Sequence, residues 1–174
     1  MKNYKQTLIN TINETYGENA QYILVAMEQE LHMYDYYAKH EKDERFMEFV
    51  LKRNIEEAKD LNERLLTPAT AKVGDGATIC LWSDNHACTI IKKTKTTITV
   101  QRDKATLDPN FKPEFIIGGF AGHCTNQHEQ TYTYERDENG SIETFHWSKK
   151  YNSYGIPSNP RLIKGRHEFY DYNF

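Results

Sequence analysis

The dipeptide Thr67-Pro68 divides this 174-residue chain into two parts with different hydrophobic patterns. A residue that precedes proline is sterically kept out of the helical region, so a helix has to end here. Before this point apolar residues recur at helical spacing, whereas β-branched residues and turn-forming dipeptides dominate after Val73. We therefore expect an α+β protein, with a helical region over residues 1–68 and a β domain over residues 72–174.

The first part of the sequence predicts about three helices. They cover residues 3–16, the residues from just after Asn19 to about residue 39, and residues 44–66. Asn19 and Asp43 stand just before the second and third of them, where a short polar side chain can accept a hydrogen bond from a free amide of the first turn. Each helix carries its apolar residues on one face, so we expect the three to pack together.

The second part predicts short strands joined by tight turns. They cover residues 77–83, 86–93, 96–102, 130–136, 141–148 and 166–174. The fourth and fifth strands flank Asn139-Gly140, which is a strong hairpin signal, so we expect these two to pair with each other. This pattern indicates a small, strongly bent antiparallel sheet or an SH3-like barrel.

Residues 103–127 separate the third and fourth strands and show no clear periodicity. A structureless segment of this length is uncommon inside a compact domain and is usually functional or disordered. It runs into a glycine-rich stretch, GGFAGHCTNQH, that contains His123, Cys124 and His128. Flexible backbone beside imidazole and thiol groups is typical of a metal-binding loop.

A closed structural zinc site needs about four ligands, so the loop requires partners from elsewhere. His86 and Cys88 are two residues apart on a predicted strand, which puts them on one face of it. We expect a structural Zn²⁺ that ties the loop to the sheet, with ligands drawn from His86, Cys88, His123, Cys124, His128 and His167. A buried thiol at Cys88, or histidines bonded to nearby carbonyl groups, would explain the same residues without a metal.

The distribution of charge limits the classes of partner. The net charge is −3, and residues 1–68 hold 9 Lys and Arg against 13 Asp and Glu. This acidic part suits a basic protein surface better than a nucleic acid, so we expect no direct binding to nucleic acid. The predicted partner-binding residues are Glu28, Glu30, Asp35, Glu41 and Glu44.

The sequence also bears on the compartment. No apolar run approaches the roughly 20 residues that span a membrane, and the N-terminus has no apolar signal core. Three cysteines are an odd number, which favours reduced thiols over a disulfide framework. We therefore expect a cytoplasmic protein without membrane contact.

Four stretches of the second part carry a resemblance. They read VGDGATICLWSDNHACTII, TITVQRDKATLDPNFKPEF, GGFAGHCTNQHEQTYTYE and GRHEFYDYNF. Over about residues 72–174 the chain resembles small proteins of phages, prophages and mobile elements of Gram-positive bacteria. Some proteins in this setting resemble inhibitors of type II-A CRISPR–Cas9 immunity, including a zinc-containing one with a helical extension. The resemblance implies a metalloprotein that binds Cas9 and blocks DNA loading or cleavage without catalysis.

Two other interpretations stay open. A zinc-dependent hydrolase of nucleic acid or nucleotide signals would need a general base near the metal, and Glu129 or Asp84 has the right chemistry. The sequence contains neither HExxH nor a PCxxC deaminase pattern. A small barrel that binds nucleic acid is the third interpretation. We expect the protein not to be an enzyme.

Overall fold

The computed structural model describes residues 3–41, 43–118, 121–156 and 160–173. The chain forms two compact units, residues 1–70 and residues 71–174. We call the first the helical unit and the second the β unit. Helices followed by antiparallel sheets confirm the predicted α+β class. None of the described helices combines the length and the apolar character that a membrane span requires.

The described residues of the helical unit form four α-helices where the sequence predicts about three. Helices α1 to α4 span Tyr4–Tyr16, Ala20–Ala26, Glu28–His40 and Glu44–Arg64, and a 3-10 turn at Gly17–Asn19 precedes α2. The prediction of one continuous second helix was wrong, because Met27, with φ −99° and ψ 20°, interrupts it. Apolar residues keep helical spacing across Met27 and its side chain is fully buried, so periodicity alone cannot reveal the break.

One of the two predicted helix caps is present. The side chain of Asp43 accepts a hydrogen bond of 2.9 Å from the amide of Arg45 at the start of α4. Asn19 makes no capping bond to α2. Its buried amide group instead donates to Oδ1 of Asn62 at 2.8 Å and accepts from the hydroxyl of Thr67 at 2.7 Å. The Asn19 side chain, which the local sequence predicts as a helix cap, thus bonds residues that are distant in sequence.

All four helices contribute apolar side chains to one core. Its buried members are Tyr4, Leu8, Ile12, Ala20, Ile23, Met27, Tyr34, Met47, Val50, Ala58 and Leu61. The side-chain amide of Asn54 is buried as well, like that of Asn19, and donates to the hydroxyl of Tyr34 at 3.2 Å. The unit therefore buries an apolar stripe from every helix, which is what makes short helices stable in water.

The β unit contains ten described strands. Strands β1 to β10 span Gly76–Cys80, Asn85–Lys93, Thr97–Arg102, Lys104–Leu107, Phe115–Gly118, Ala121–Cys124, Tyr132–Glu135, Ile142–Ser148, Ser153–Tyr154 and Arg161–Lys164. Six of them form one antiparallel sheet in the order β10-β1-β2-β3-β8-β9, while β4 pairs with β7 and β5 with β6. Short strands in an all-antiparallel arrangement agree with the predicted small sheet.

The six-stranded sheet curls until its two edges meet. A bridge between Gly155 and Arg161 links the chain after β9 to β10, and the β2–β3 register shifts between Ile90 and Lys92. Such a bulge increases the local twist of the sheet. Because pairing between the edges is limited to that bridge in the described residues, the sheet is strongly bent rather than closed into a barrel.

The predicted hairpin around Asn139-Gly140 was wrong in its pairing. Strand β7 pairs with β4 and β8 pairs with β3, so the turn joins two different sheets. Gly140 is needed here for another reason: a Cβ atom at this position would lie 2.0 Å from the carbonyl oxygen of Arg102. A close approach of two backbones, rather than a tight hairpin turn, explains this glycine.

Two further predictions need correction. Residues 103–127 are not structureless, because they contain β4, β5 and β6. Residues 166–173 form no strand beyond one bridge between Asn85 and Phe169. Their aromatic alternation is typical of a strand, yet side-chain hydrogen bonds hold the segment in place.

We expect Thr67→Val to lower the free energy of unfolding of the helical unit by about 1–3 kcal/mol, because Oδ1 of Asn19 stays buried and loses its hydroxyl donor. Urea unfolding followed by the helical circular-dichroism signal measures this effect. Trp82 and Trp147 both lie in the β unit, so tryptophan fluorescence reports that unit separately.

Thr15→Val, at an exposed position of α1, is the matched control and should change stability by less than about 0.5 kcal/mol. Thr15→Val also removes a threonine hydroxyl, but at an exposed position water can take over its hydrogen bonds. Equal effects of the two substitutions would contradict the assigned role of the Thr67 hydroxyl.

Candidate functional sites

Gly119 and Phe120 of the glycine-rich stretch lie outside the described residues, and the residues on either side of them belong to two paired strands. Strand β6 pairs with β5, so that His123 lies opposite Ile116 and Cys124 lies opposite Phe115. His123 is exposed and Cys124 is buried. Neighbouring residues of a strand point to opposite faces, which separates these two predicted ligands although they are adjacent in sequence.

The backbone of Cys124 is bound by an amide side chain from the C-terminal segment. Its N–H donates to Oδ1 of Asn173 at 2.6 Å, and Nδ2 of Asn173 donates to the Cys124 carbonyl at 3.1 Å. The Cys124 thiol lies 3.6 Å from Oδ1 of Asn126. The loop and the C-terminal segment are therefore tied together here by hydrogen bonds.

Other polar side chains continue this attachment along the C-terminal segment. The amide of Tyr170 donates to Oε1 of Gln130 at 3.2 Å, and Nε2 of Gln130 donates back to the Tyr170 carbonyl at 2.8 Å. The amide of Tyr172 donates to Oε1 of Gln127 at 3.0 Å. The Tyr172 ring also packs edge-on against Phe115 and Tyr170, at centroid distances of 6.2 and 5.0 Å. Backbone groups that lack a sheet partner are satisfied in this way.

His86 belongs to a cluster of charged groups. Its Nδ1 lies 3.2 Å from Oε1 of Glu168 and 3.0 Å from Nη2 of Arg102. The guanidinium of Arg102 also contacts Glu168 at 3.2 Å, and the Ala87 amide donates to the second carboxylate oxygen at 2.7 Å. The tautomer of His86 decides which neighbour it bonds, and either bond occupies Nδ1.

Cys88 is completely buried and its thiol donates to the carbonyl of Ala77 at 3.3 Å. Burial, reinforced by the carboxylate of Asp103, raises the pKa of Cys88 to about 12. Zinc binds the thiolate form of cysteine. This environment therefore favours the interpretation of Cys88 as a buried, protonated thiol over its interpretation as a zinc ligand.

The two remaining predicted ligands, His167 and His128, make their described contacts with residues other than the predicted ligands. The amide of His167 donates to the hydroxyl of Thr78 at 2.8 Å. His128 is exposed in a 3-10 turn, with Nε2 3.8 Å from the carboxylate of Glu129. In the part of the chain that the structure describes, no three His, Cys, Asp or Glu side chains lie close enough together to hold a metal ion. The zinc site stays a prediction, and the described geometry supplies no ligand set for it.

Sequence reasoning missed the buried carboxylate of Asp103. Its side chain is 1% exposed and accepts from Nε of Arg166 at 2.6 Å. The hydroxyl of Thr89 lies 2.8 Å from each carboxylate oxygen, and Nη2 of Arg166 donates to that hydroxyl at 2.6 Å. A second cationic group, Nη1 of Arg136, lies 4.0 Å from Oδ1 of Asp103. No spacing in the sequence links residues this far apart.

The predicted partner-binding face contains a cavity of about 540 Å³ in the helical unit. Asp35, Glu41 and Glu44 line it. The complete lining is Asn3, Tyr4, Lys5, Tyr34, Asp35, Tyr37, Ala38, Glu41, Asp43, Glu44 and Met47. Four carboxylates and three tyrosines thus line one opening, and Lys5 is the only Lys or Arg among the described lining residues.

The environment of this cavity shifts the pKa values of Asp35 and Tyr4. The hydrogen bond from Lys5, at 2.6 Å, lowers the pKa of Asp35. The pKa of Tyr4 is raised, first by burial and then by the carboxylates of Glu44 and Glu48. These directions keep Asp35 ionised and the Tyr4 phenol neutral at physiological pH. With one Lys against four acidic lining residues, the cavity carries negative charge.

Glu28 and Glu30 do not share this cavity. Glu30 lines a second one of about 420 Å³ together with Arg53 and Asn54. Glu28 is exposed on α3, and its carboxylate lies 3.9 Å from Nε2 of His32. The five predicted partner-binding residues therefore fall into a group of three around one opening and two others along α3.

Comparison of the chain with protein-family models, curated proteins and solved structures gives no match. The resemblance of residues 72–174 to phage and mobile-element proteins accordingly stays an expectation from the sequence. Function has to be argued from the geometry of particular residues.

We expect Arg166→Met to lower the free energy of unfolding of the β unit by about 3–5 kcal/mol, because it leaves the Asp103 carboxylate buried without its closest cation. Urea unfolding followed by tryptophan fluorescence measures it. The double variant Asp103→Asn/Arg166→Met should recover much of the loss, since no buried charge remains.

Lys104→Met is the matched control for this ion pair, because the Lys104–Glu135 pair is exposed on both sides and should contribute less than about 1 kcal/mol. A loss for Arg166→Met no larger than the loss for Lys104→Met would contradict the central role of Asp103.

The zinc prediction requires about one zinc per chain in the purified protein, measured by elemental analysis. Cys124→Ser should then lower both the zinc content and the melting temperature, whereas His128→Ala at the exposed turn should do so less. Protein that contains no zinc, or a Cys124→Ser variant with unchanged zinc and melting temperature, rejects the prediction.

Proposed function

We propose that this protein is a non-catalytic inhibitor that binds a nucleic-acid-handling effector through its helical unit. The observation that carries the proposal is the cavity lined by Asp35, Glu41 and Glu44 together with tyrosine rings. The sequence resemblance makes type II-A Cas9 the effector that we propose. The site of action would then be the cytoplasm of the host bacterium, where that effector works.

The chemistry of the cavity suits a basic side chain of a protein. Carboxylates form charge-assisted hydrogen bonds with guanidinium and ammonium groups. The ring of Tyr37 is half-buried and packs edge to face on the buried ring of Tyr34, with centroids 6.4 Å apart, so Tyr37 offers a face over which a cation is attracted. A lysine or arginine that projects from the effector would therefore find both kinds of contact in the same opening.

The mechanism that we propose is steric. An effector that handles nucleic acid needs a basic surface for phosphate groups. A protein that covers part of this surface excludes the nucleic acid without any turnover. Opposite charge would accelerate the encounter and orient the two surfaces, which is the usual contribution of electrostatic complementarity.

The test compares two pairs of charge-removing substitutions. Glu41→Gln/Glu44→Gln alters the cavity, and Glu56→Gln/Glu63→Gln alters exposed positions later in α4. Glu63 lies nineteen residues beyond Glu44, or roughly 28 Å along the helix axis. The two pairs remove the same charge, so they separate a local role from a general one.

We expect the cavity pair to weaken the complex with Cas9 by about tenfold or more, as for lost charge-assisted hydrogen bonds, and the control pair by less than about twofold. Calorimetry on purified proteins measures both, and circular dichroism checks that each variant is folded. No binding to any of several type II-A effectors, or equal losses for the two pairs, would reject the proposal.

Assays on the same purified protein distinguish the inhibitor from the two other interpretations, a zinc-dependent hydrolase and a nucleic-acid-binding barrel. Hydrolysis of nucleic acid that is lost in Glu129→Gln would favour the zinc-dependent hydrolase. Affinity for DNA or RNA that falls steeply with salt would favour the nucleic-acid-binding barrel. Either result would replace the inhibitor as the proposed function.

A further inference from the structure

The two edges of the β5–β6 hairpin differ in their hydrogen bonds. On the β6 side, Asn173 bonds both backbone groups of Cys124. On the β5 side, no strand among the described residues pairs with Phe115–Gly118 apart from β6 itself. The β6 edge is therefore bonded at Cys124, whereas the β5 edge has no partner among the described residues.

The hydrogen-bond pattern shows which backbone groups lie on that edge. The amide of Thr125 donates to the carbonyl of Glu114 at 2.9 Å, and the backbone groups of Cys124 point away from β5 to Asn173. Paired residues of an antiparallel ladder alternate between bonded and non-bonded pairs. The N–H and C=O groups of Phe115, opposite Cys124, and of Ile117 therefore face outward.

Strand β5 lacks the features that normally protect such an edge. Its sequence is Phe-Ile-Ile-Gly, with no charge and no proline. Ile116 is 63% exposed and Ile117 is 96% exposed. Natural sheet proteins usually interrupt an apolar edge with lysine, proline or a bulge, because the free backbone groups are a template for another strand.

Other apolar side chains extend this surface at the same end of the β unit. Phe115 packs on Tyr172 and Tyr172 on Tyr170, and the Asp171 amide is bonded to Asp84 in the turn that carries Trp82. Trp82 is 87% exposed, and Leu81 and Tyr170 are also exposed. Large exposed aromatic and aliphatic side chains are the kind that protein interfaces bury.

We propose that β5 of one molecule pairs antiparallel with β5 of a second copy of this chain. The outward groups set the register: Phe115 would exchange two hydrogen bonds with Ile117 of the second copy, and the twofold axis would pass through Ile116. The interface is isologous, as in most homodimers. The two hairpins would join into a four-stranded sheet, whereas a two-stranded hairpin alone is only marginally stable.

The occupant is a second copy because the strand is complementary to itself. An uncharged strand meets no like-charge repulsion from its own copy. The register places an aromatic residue opposite a β-branched one twice, and Ile116 against Ile116, which are favourable cross-strand pairs. This inference concerns the β unit and does not depend on the proposed Cas9 inhibition.

Sedimentation velocity of the full chain, from micromolar to near-millimolar concentration, tests the inference. We expect a reversible monomer–dimer equilibrium that Ile117→Lys weakens by about tenfold or more, since a charge would be placed on both strands. Ile117→Pro should weaken it as well, because proline removes an outward N–H while leaving the bonds to β6 in place. Ile142→Lys, at a position of β8 that is 59% exposed, is the matched control and should leave the equilibrium unchanged.

Hydrogen exchange locates the interface. The amides of Phe115 and Ile117 should become protected as the dimer forms, and tryptophan fluorescence checks that the variants are folded. A monomer at every concentration overturns the inference. So does a dimer that both Ile117 variants leave intact, or a β5 edge that becomes protected only when a different protein is added.

Discussion

The β unit depends on one buried ion pair, between Asp103 and Arg166. A carboxylate with 1% exposure is costly unless donors surround it, and Arg166 supplies the closest one at 2.6 Å. Arg166 can do so only when the C-terminal segment lies against the sheet. Glu168, bonded to the Ala87 amide and to Arg102, adds a second attachment two residues later. Electrostatics thus orders a segment that forms almost no sheet ladder.

This ordering explains how the glycine-rich hairpin is held. Once residues 166–169 are fixed, the following residues reach the hairpin, where Asn173 bonds the backbone of Cys124. The sequence suggests a metal for this task because His123 and Cys124 stand out among flexible residues. The described contacts perform it with amide side chains, which are common in every sequence and carry no distinctive spacing. The two accounts differ in redox sensitivity and in their response to chelators.

The two units offer surfaces of opposite chemistry. In the helical unit, carboxylates around Tyr4 and Tyr34 create a negative opening suited to a cationic side chain. In the β unit, strand β5 exposes uncharged backbone edge and apolar side chains suited to another strand. Under the two proposals, surfaces so different would select different partners: a basic target for the helical unit and a second copy of the chain for the β unit.

Much of this protein could be predicted from short stretches of sequence. The α+β class, the first three strands and the Asp43 cap follow from periodicity and from residues a few positions apart, because local backbone preferences act over one or two turns. The partners of β7, the bonds of Asn19 and the pairing of Asp103 with Arg166 were decided by tertiary structure alone. These last contacts join residues up to 63 positions apart. Their side chains pair because burial leaves them no water to bond, and burial is a property of the whole fold.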